Sequence, residues 1–247
     1  MSKTIVVTSG KGGVGKSTVT AYLGTELCAR GKRVLLIDMD EGLRSLDIIL
    51  GVSSNTVFDV YDVICGNCTP SQAMLQIGSL QGMYLLPAPI KKGMIAEPDH
   101  IKELCECYSD LFDYIIIDSP AGIGDGFYLS VAAADMALVV VTPDPVSVRA
   151  GATAASLLRE HSVDNIRLVI NKVNTPLMKK GTFHNIDEII DITQTQLIAA
   201  IPTDYAVIEY SSKGQPLPAS FAKDAFVRLA GRLTGQRIML PKLQKFT

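Results

Sequence analysis

The feature that most restricts the fold is a glycine-rich stretch near the N-terminus, Gly10-Lys11-Gly12-Gly13-Val14-Gly15-Lys16-Ser17. It meets the phosphate-loop pattern G-x-x-x-x-G-K-[ST] at every fixed position. An apolar β-branched run at 4–8 precedes it as a buried strand. A helix is expected over 16–30, with Val19, Leu23 and Leu27 at i, i+4 and i+8 and Gly31 as its stop. Glycines let the backbone wrap an anion, so that successive N–H groups and the helix N-terminus face phosphates. Lys16 would reach the β- and γ-phosphates, and the Ser17 hydroxyl would ligate Mg²⁺. A glycine turn that merely joins strand to helix needs neither the Lys-Ser pair nor this spacing. The chain is expected to bind a nucleoside triphosphate.

Short apolar runs at 34–37, 83–86, 114–117, 137–141, 168–170 and 197–201 alternate with helical stretches at 99–110, 145–161, 186–196 and 219–233. Continuous Val/Ile/Leu runs are typical of strands covered by helices on both faces. The alternation predicts a single α/β domain with a doubly wound, mostly parallel sheet. No repeat, low-complexity tract or linker interrupts it. Ligands of such sheets sit at the C-terminal ends of the strands.

With 47% hydrophobic residues and a net charge of −2, the chain is not a disordered polymer and carries no global basic signal for nucleic acid. The most apolar stretch, 131–142, contains Asp135 and falls short of the roughly 20 residues needed to span a bilayer. No signal peptide is visible, so a cytoplasmic location is expected. Five cysteines scattered over 247 residues do not read as a disulfide framework.

Two apolar runs end in carboxylates, Leu36-Ile37-Asp38-Met39-Asp40 and Ile115-Ile116-Ile117-Asp118-Ser119-Pro120. Asp118 suits a second Mg²⁺ carboxylate, acting through water. Asp38 and Asp40 would face the same side of an extended chain, one ordering the metal shell and the other the attacking water. Two aspartates at a strand end can also be turn formers. Leu168-Val169-Ile170 runs into Asn171-Lys172-Val173-Asn174, similar to the base-reading Asn-Lys-x-Asp of GTPases with Asn174 in place of the Asp. Guanine recognition needs that carboxylate, whereas an amide at Asn171 matches the donor–acceptor edge of adenine. ATP is favoured over GTP, the alternative being that Asn171 only ends a strand.

Lys11 is a second lysine in a loop that already has Lys16. Either it is solvated and adds attraction for phosphate, or it crosses to a neighbouring subunit's nucleotide as an arginine finger does. The run Ser9 to Thr18 resembles the deviant phosphate loop of the ParA/MinD ATPase superfamily. Asp38-Met39-Asp40-Glu41-Gly42-Leu43-Arg44-Ser45-Leu46-Asp47, Asp118-Ser119-Pro120-Ala121-Gly122-Ile123, Ser147-Val148-Arg149 and Ile201-Pro202-Thr203-Asp204 are similar to its MinD branch.

The resemblance covers residues 2–234 and implies a cycle. ATP closes two subunits face to face with Lys11 of each on the other's nucleotide. The dimer binds membrane and division-site proteins of the MinC and MinE kind, and hydrolysis releases it, so that the enzyme positions the division septum. The resemblance also implies catalytic roles for Lys11, Lys16 and Asp40, and metal support from Ser17, Asp38 and Asp118. Nucleotide contacts would come from Gly10 through Thr18 and from Asn171, Pro202 and Asp204.

The chain departs from that pattern in two places. Ala150-Gly151-Ala152 stands where acidic residues are usual, and the tail at 235–247 lacks the usual basic amphipathic helix. Leu240, Leu243 and Phe246 recur every three residues with Arg237, Lys242 and Lys245 between them, but Pro241 interrupts the helix. Its apolar and basic gains roughly cancel the cost of ordering, about 1–2 kcal/mol per residue, for one copy. Two copies on one dimer bind at high effective concentration. The alternative is a tail that packs on the domain or dangles.

Rival readings share the nucleotide residues. A ParA-like nucleoid or plasmid ATPase should present a basic surface, and nothing in the chain points to a regulator of flagellar number. An iron–sulfur carrier on the same fold would draw on Cys65-Gly66-Asn67-Cys68, half of a tetrahedral site. His100, His161 and His184 lack ligand spacing. Val57, Phe58 and Tyr61 read as the core of a short helix.

Overall fold

The apolar runs become the strands of one eight-stranded sheet: β1 (Lys3–Thr8), β2 (Val34–Asp38), β3 (Leu75–Gln76), β4 (Met83–Leu86), β5 (Tyr114–Asp118), β6 (Met136–Val141), β7 (Ile166–Val173) and β8 (Leu197–Pro202). The structure, a computed structural model, describes residues 2–78, 80–91, 96–181, 183 and 185–240. Strand order is β3-β4-β2-β5-β1-β6-β7-β8, and every pairing is parallel except β3 with β4. The two-residue β3 is too short to leave a period in the sequence, and it forms by pairing with Tyr84 and Leu85.

Helices fill the connections: α1 (Lys16–Cys28), α2 (Ser45–Ile49), α3 (Val60–Ile64), α4 (Pro70–Ala73), α5 (Pro98–Tyr108), α6 (Asp125–Val131), α7 (Pro145–Glu160), α8 (Thr175–Lys180), α9 (Ile186–Thr193), α10 (Tyr205–Ser212) and α11 (Phe221–Leu233). None of the described helices is long and apolar enough to cross a membrane.

Alternate residues of each central strand enter opposite cores, as the two-residue period demands. Leu35, Ile37, Ile115, Ile117 and Val139 pack with Leu104, Phe127, Leu158 and Ile189 of α5, α6, α7 and α9. Val34, Leu36, Ile116, Leu138 and Val140 pack with Leu23 and Leu27 of α1 and Phe226 and Leu229 of α11. The doubly wound architecture thus follows from strands apolar on both sides.

The short-helix expectation needs one correction. Asp59 caps α3 by accepting from the Tyr61 and Asp62 N–H groups, so the helix begins at Val60; Val57, 80% exposed, and Phe58, half-buried against the core, lie outside it, and Tyr61 is on the helix but only half-buried. Of the tail, residues 235–240 are described; Pro241, Lys242, Leu243, Lys245 and Phe246 lie outside the described residues, as does His184.

A candidate nucleotide site

The parallel sheet brings the ends of β1, β2, β5, β7 and β8 to one edge, and a cleft of about 720 Å³ opens there. Gly12, Gly13, Gly15, Lys16, Ser17, Thr18, Asp40, Asn171, Pro202 and Asp204 all line it. The volume falls within the range usual for small-molecule sites. Gly13 (φ 77°) and Gly15 (φ 95°) adopt left-handed backbone, which turns the loop around the cleft. A Cβ on Gly15 would also lie 2.4 Å from the Asn171 amide nitrogen. No side chain caps α1, so its first N–H groups remain for an anion at the helix N-terminus.

Lys16 is 7% exposed. Burial lowers its pKa, opposed by the charges of Asp118 and Asp40. Its ammonium therefore lies in the field of both carboxylates, beneath the loop. Val14, Gly10 and Lys11 do not line the cleft. Val14 is buried under the loop, and Gly10 abuts α7, where a Cβ would come within 2.3 Å of the Ala150 carbonyl oxygen. Gly151 meets Val141 in the same way, at 2.3 Å. The small residues at 150 and 151 therefore let α7 approach the loop and β6.

Asp38 and Asp118 sit side by side as register partners on β2 and β5, and both are buried. Burial, then the charge of Asp118, pushes the Asp38 carboxyl up to about 8. Asp118 is raised by burial to about 6, with the Ser17 hydroxyl, Lys16 and the Thr20 hydroxyl favouring its charged form. Thr20 donates to Asp118 Oδ1 at 3.1 Å, while Asp118 Oδ2 and the neighbouring Thr8 Oγ1 are buried without a hydrogen-bond partner.

Two adjacent carboxylates, one of them with an orphaned oxygen, and the hydroxyls beside them form an all-oxygen donor set that fits Mg²⁺. Among the described residues no group of three or more His, Cys, Asp or Glu side chains could hold a metal. An open site of few protein ligands suits an ion that keeps waters and substrate phosphates.

Asp38 also shapes the segment that follows it. Its carboxylate accepts from the Asp40 N–H at 2.9 Å and the Leu46 N–H at 3.3 Å, folding 40–46 back over the end of β2. That turn carries Asp40 to the cleft wall. Arg44, at φ 48°, donates to Asp47 at 2.9 Å and to Thr56 at 2.5 Å, tying the segment to α2.

On the other wall, Asn171 donates to the Val14 carbonyl at 2.8 Å, and its side-chain oxygen accepts from the Lys172 N–H at 2.9 Å. Lys172 donates to the Gly13 carbonyl at 2.8 Å. Asn171 thus borders the cleft with one amide N–H and one oxygen lone pair engaged in holding the loop. Lys172 is a loop-bracing residue missed by the sequence reading, which weighed that motif for base contacts only. Asp204 caps α10 through the Ala206 N–H and also accepts from the Ala222 N–H of α11, both at 3.0 Å.

Beyond Pro202 the cleft runs between α2 and α10, along Leu43, Ile49, Val207, Ile208 and Ser211. The Tyr22 hydroxyl lies 3.0 Å from that of Ser211.

Lys11 turns away from the cleft to Asp144, 3.1 Å distant. Asp144 also caps α7 by accepting from the Ser147 N–H at 3.0 Å, and it accepts from the Thr142 hydroxyl at 2.6 Å. Burial works against its charge, but Thr142, Ser147 and Lys11 together hold its carboxyl below the usual range. The Asp144-Pro145 step, a cap followed by proline at the first helical position, was the legible signal.

A parallel sheet with this loop at the end of β1 defines a P-loop nucleoside triphosphatase, and the second lysine places it in the deviant class. The family model described as "ParA: NUBPL iron-transfer P-loop NTPase" matches residues 1–234. The septum site-determining protein MinD of Bacillus subtilis is 39% identical over 251 residues, 99% of this chain and 94% of that protein. MinD in the MinC:MinD complex of Aquifex aeolicus superposes with a TM-score of 0.89 at 35% identity, covering 98% of this chain and 99% of that one. MinD of Pyrococcus horikoshii, solved with Mg-ADP, gives 0.83 at 26% identity, covering 95% and 97%. The chain belongs to the MinD family of ParA-type P-loop ATPases. Cys65 is exposed and Cys68 half-buried, and neither joins a metal-ligating group among the described residues.

Proposed function

We propose that this protein is an ATP-driven switch that places the division septum, hydrolysing ATP to ADP and phosphate. The observation that carries the reading is the convergence of Lys16, Ser17, Asp38, Asp40 and Asp118 at one strand edge beside an uncapped helix N-terminus. Residues 1–234 form the ATPase domain and 235–247 a tail.

The loop N–H groups and Lys16 bind the phosphates, and the apolar wing by Pro202 takes the base. Ser17, with Asp38 and Asp118 behind it, would hold Mg²⁺, and the ion would supply neutralisation of phosphate charge. Asp40 orients the attacking water. Asn171 and Lys172 keep the loop in its anion-binding shape, so their contribution is positional.

ATP joins two copies across the loop face, with Lys11 leaving Asp144 for the neighbouring subunit's phosphates. The Aquifex complex suggests an effector of the MinC kind, and a MinE-like activator would time hydrolysis. The protein is cytoplasmic and associates peripherally with the inner face of the membrane through its tail. Asp40→Ala tests the reading: ATP binding should persist while turnover falls at least tenfold and the dimer accumulates. Normal turnover in that variant would remove Asp40 from the reaction.

A further inference from the structure

Residues 40–44 form a single closed turn. The Leu43 and Arg44 N–H groups both donate to the Asp40 carbonyl at 3.3 Å, and the Gly42 N–H donates to the Pro89 carbonyl at 3.0 Å. Gly42, at φ 78°, and Arg44, at φ 48°, have left-handed backbone. Glycine adopts it freely, but a residue with a Cβ does so only where its surroundings hold it there. Glycine would serve the backbone at 44 better, so the reason for arginine lies in its side chain.

Leu43 and Ser45 line the nucleotide cleft, whereas Arg44 between them does not, and its side chain is only 12% exposed. Its Nη2 donates to Asp47 Oδ2 at 2.9 Å and to Thr56 Oγ1 at 2.5 Å. Burial and the charge of Asp62 raise the carboxyl of Asp59, the cap of α3, and Arg44 is among the groups that oppose them. One guanidinium therefore joins the Asp40 turn to α2 and to the stretch before α3, and acts on the cap of α3. Among the described residues, Arg44 Nε and Asp47 Oδ1 are buried without hydrogen-bond partners, although a forked, two-bond pairing would satisfy both. A buried ion pair of such geometry contributes little net stability. What it does supply is a fixed place for the turn and, through the Arg44 N–H, a fixed place for Asp40. Placement decides what Asp40 can do: a displacement of about 1 Å at a reacting centre can cost roughly 100-fold in rate.

We propose that Arg44 is a positioning residue for ATP hydrolysis: its grip on Asp47 and Thr56 sets the 40–44 turn and so aims the Asp40 carboxylate at the attacking water. The inference rests on the role proposed above for Asp40 and adds the side chain through which that role is kept. Arg44 itself does not face the nucleotide, so its loss should act on turnover and leave ATP affinity alone.

The test is a cycle of Arg44→Gly and Asp40→Ala in the full chain, with turnover read at saturating Mg-ATP over incubations long enough to measure slow variants. Glycine suits the left-handed backbone, so the turn can still form while the side-chain grip is lost. Turnover of Arg44→Gly should fall about tenfold or more, with ATP affinity by equilibrium dialysis and the Mg-ATP dimer both retained. Arg44→Lys keeps a charged donor for Asp47 and Thr56 and should recover most of that turnover. Added to Asp40→Ala, Arg44→Gly should cost little more, because both act through one carboxylate. Normal turnover in Arg44→Gly, the full loss repeated on top of Asp40→Ala, or a loss matched by weaker ATP binding or dimerisation would each overturn the proposal. Normal turnover in Asp40→Ala would overturn the role of Asp40 and this proposal with it. If Arg44→Gly fails to fold, Thr56→Val decides, since it removes one acceptor with little change of shape. Its turnover should fall about threefold at unchanged ATP affinity, and normal turnover there would overturn the proposal.

Discussion

Replacing Asp144 by Asn separates two roles of one carboxylate. Asp144 Oδ1 accepts from the Ser147 N–H, which caps α7, and from Lys11 Nζ. Asparagine caps a helix about as well as aspartate, and the amide nitrogen can donate to the Thr142 hydroxyl in place of the present bond. The substitution therefore removes the charge that holds Lys11 while keeping the helix start.

The Lys11 and Asp144 side chains are 40% and 39% exposed, so the pair belongs with surface ion pairs worth about 0.2–1 kcal/mol. A dimer must release two such lysines, which doubles the term to about 0.4–2 kcal/mol. The ATP dimer of Asp144→Asn should be tighter by roughly 2- to 30-fold. Raising salt should narrow the gap, because screening already weakens the pair in the unmodified chain. Sedimentation equilibrium in Mg-ATP reads the dissociation constant directly when both proteins carry Asp40→Ala to suppress turnover. An unchanged or weaker dimer, with thermal stability and ATP affinity intact, would refute Asp144 as a restraint on Lys11.

Asn171→Ala should lower affinity for ATP and GTP by the same factor, about 5- to 100-fold, because it strands the buried Val14 carbonyl and loosens the loop; a loss confined to ATP would make Asn171 a base reader instead. Gly10→Ala drives a methyl into the Ala150 backbone, so thermal unfolding should show a loss of about 1–3 kcal/mol, and a silent substitution would mean α7 yields freely. Burial raises the Glu26 carboxyl above its ordinary range, against the opposing charges of Lys223 and Arg30. The folded state then binds the proton more tightly than the unfolded chain, so this group lowers stability progressively as pH rises above the usual carboxylate pKa. Glu26→Gln should be the more stable protein at neutral pH and lose that advantage in acid; the reverse trend in melting temperature against pH would contradict the burial argument.

Much of the site could be read in the sequence because its residues stand at the ends of apolar runs. Asp38 and Asp118 are the last residues of β2 and β5, where the apolar runs stop, and parallel pairing makes them neighbours. The loop was legible because its chemistry demands residues that nothing else explains. What was hidden depends on contacts between distant segments. The partner of Lys11 lies 133 residues away, and the local cap-and-proline pattern at Asp144-Pro145 marks only a helix start, not that pairing. Asn171 was assigned to the base from amide chemistry alone, whereas the close approach of β7 to the loop gives that amide a backbone partner first. The short α2 and α10 escaped notice because neither spans enough turns to show a period. Their residues gain order from lying across the cleft, as with Ser211 against Tyr22.

The most direct test of the account is the mass of the unmodified chain in solution with Mg-ATP and with Mg-ADP, beside Lys11→Ala. The account predicts a doubled mass in Mg-ATP only, and a monomer for Lys11→Ala, which should still bind ATP. A chain that stays monomeric with ATP bound, or that dimerises equally with either nucleotide or without Lys11, would contradict it.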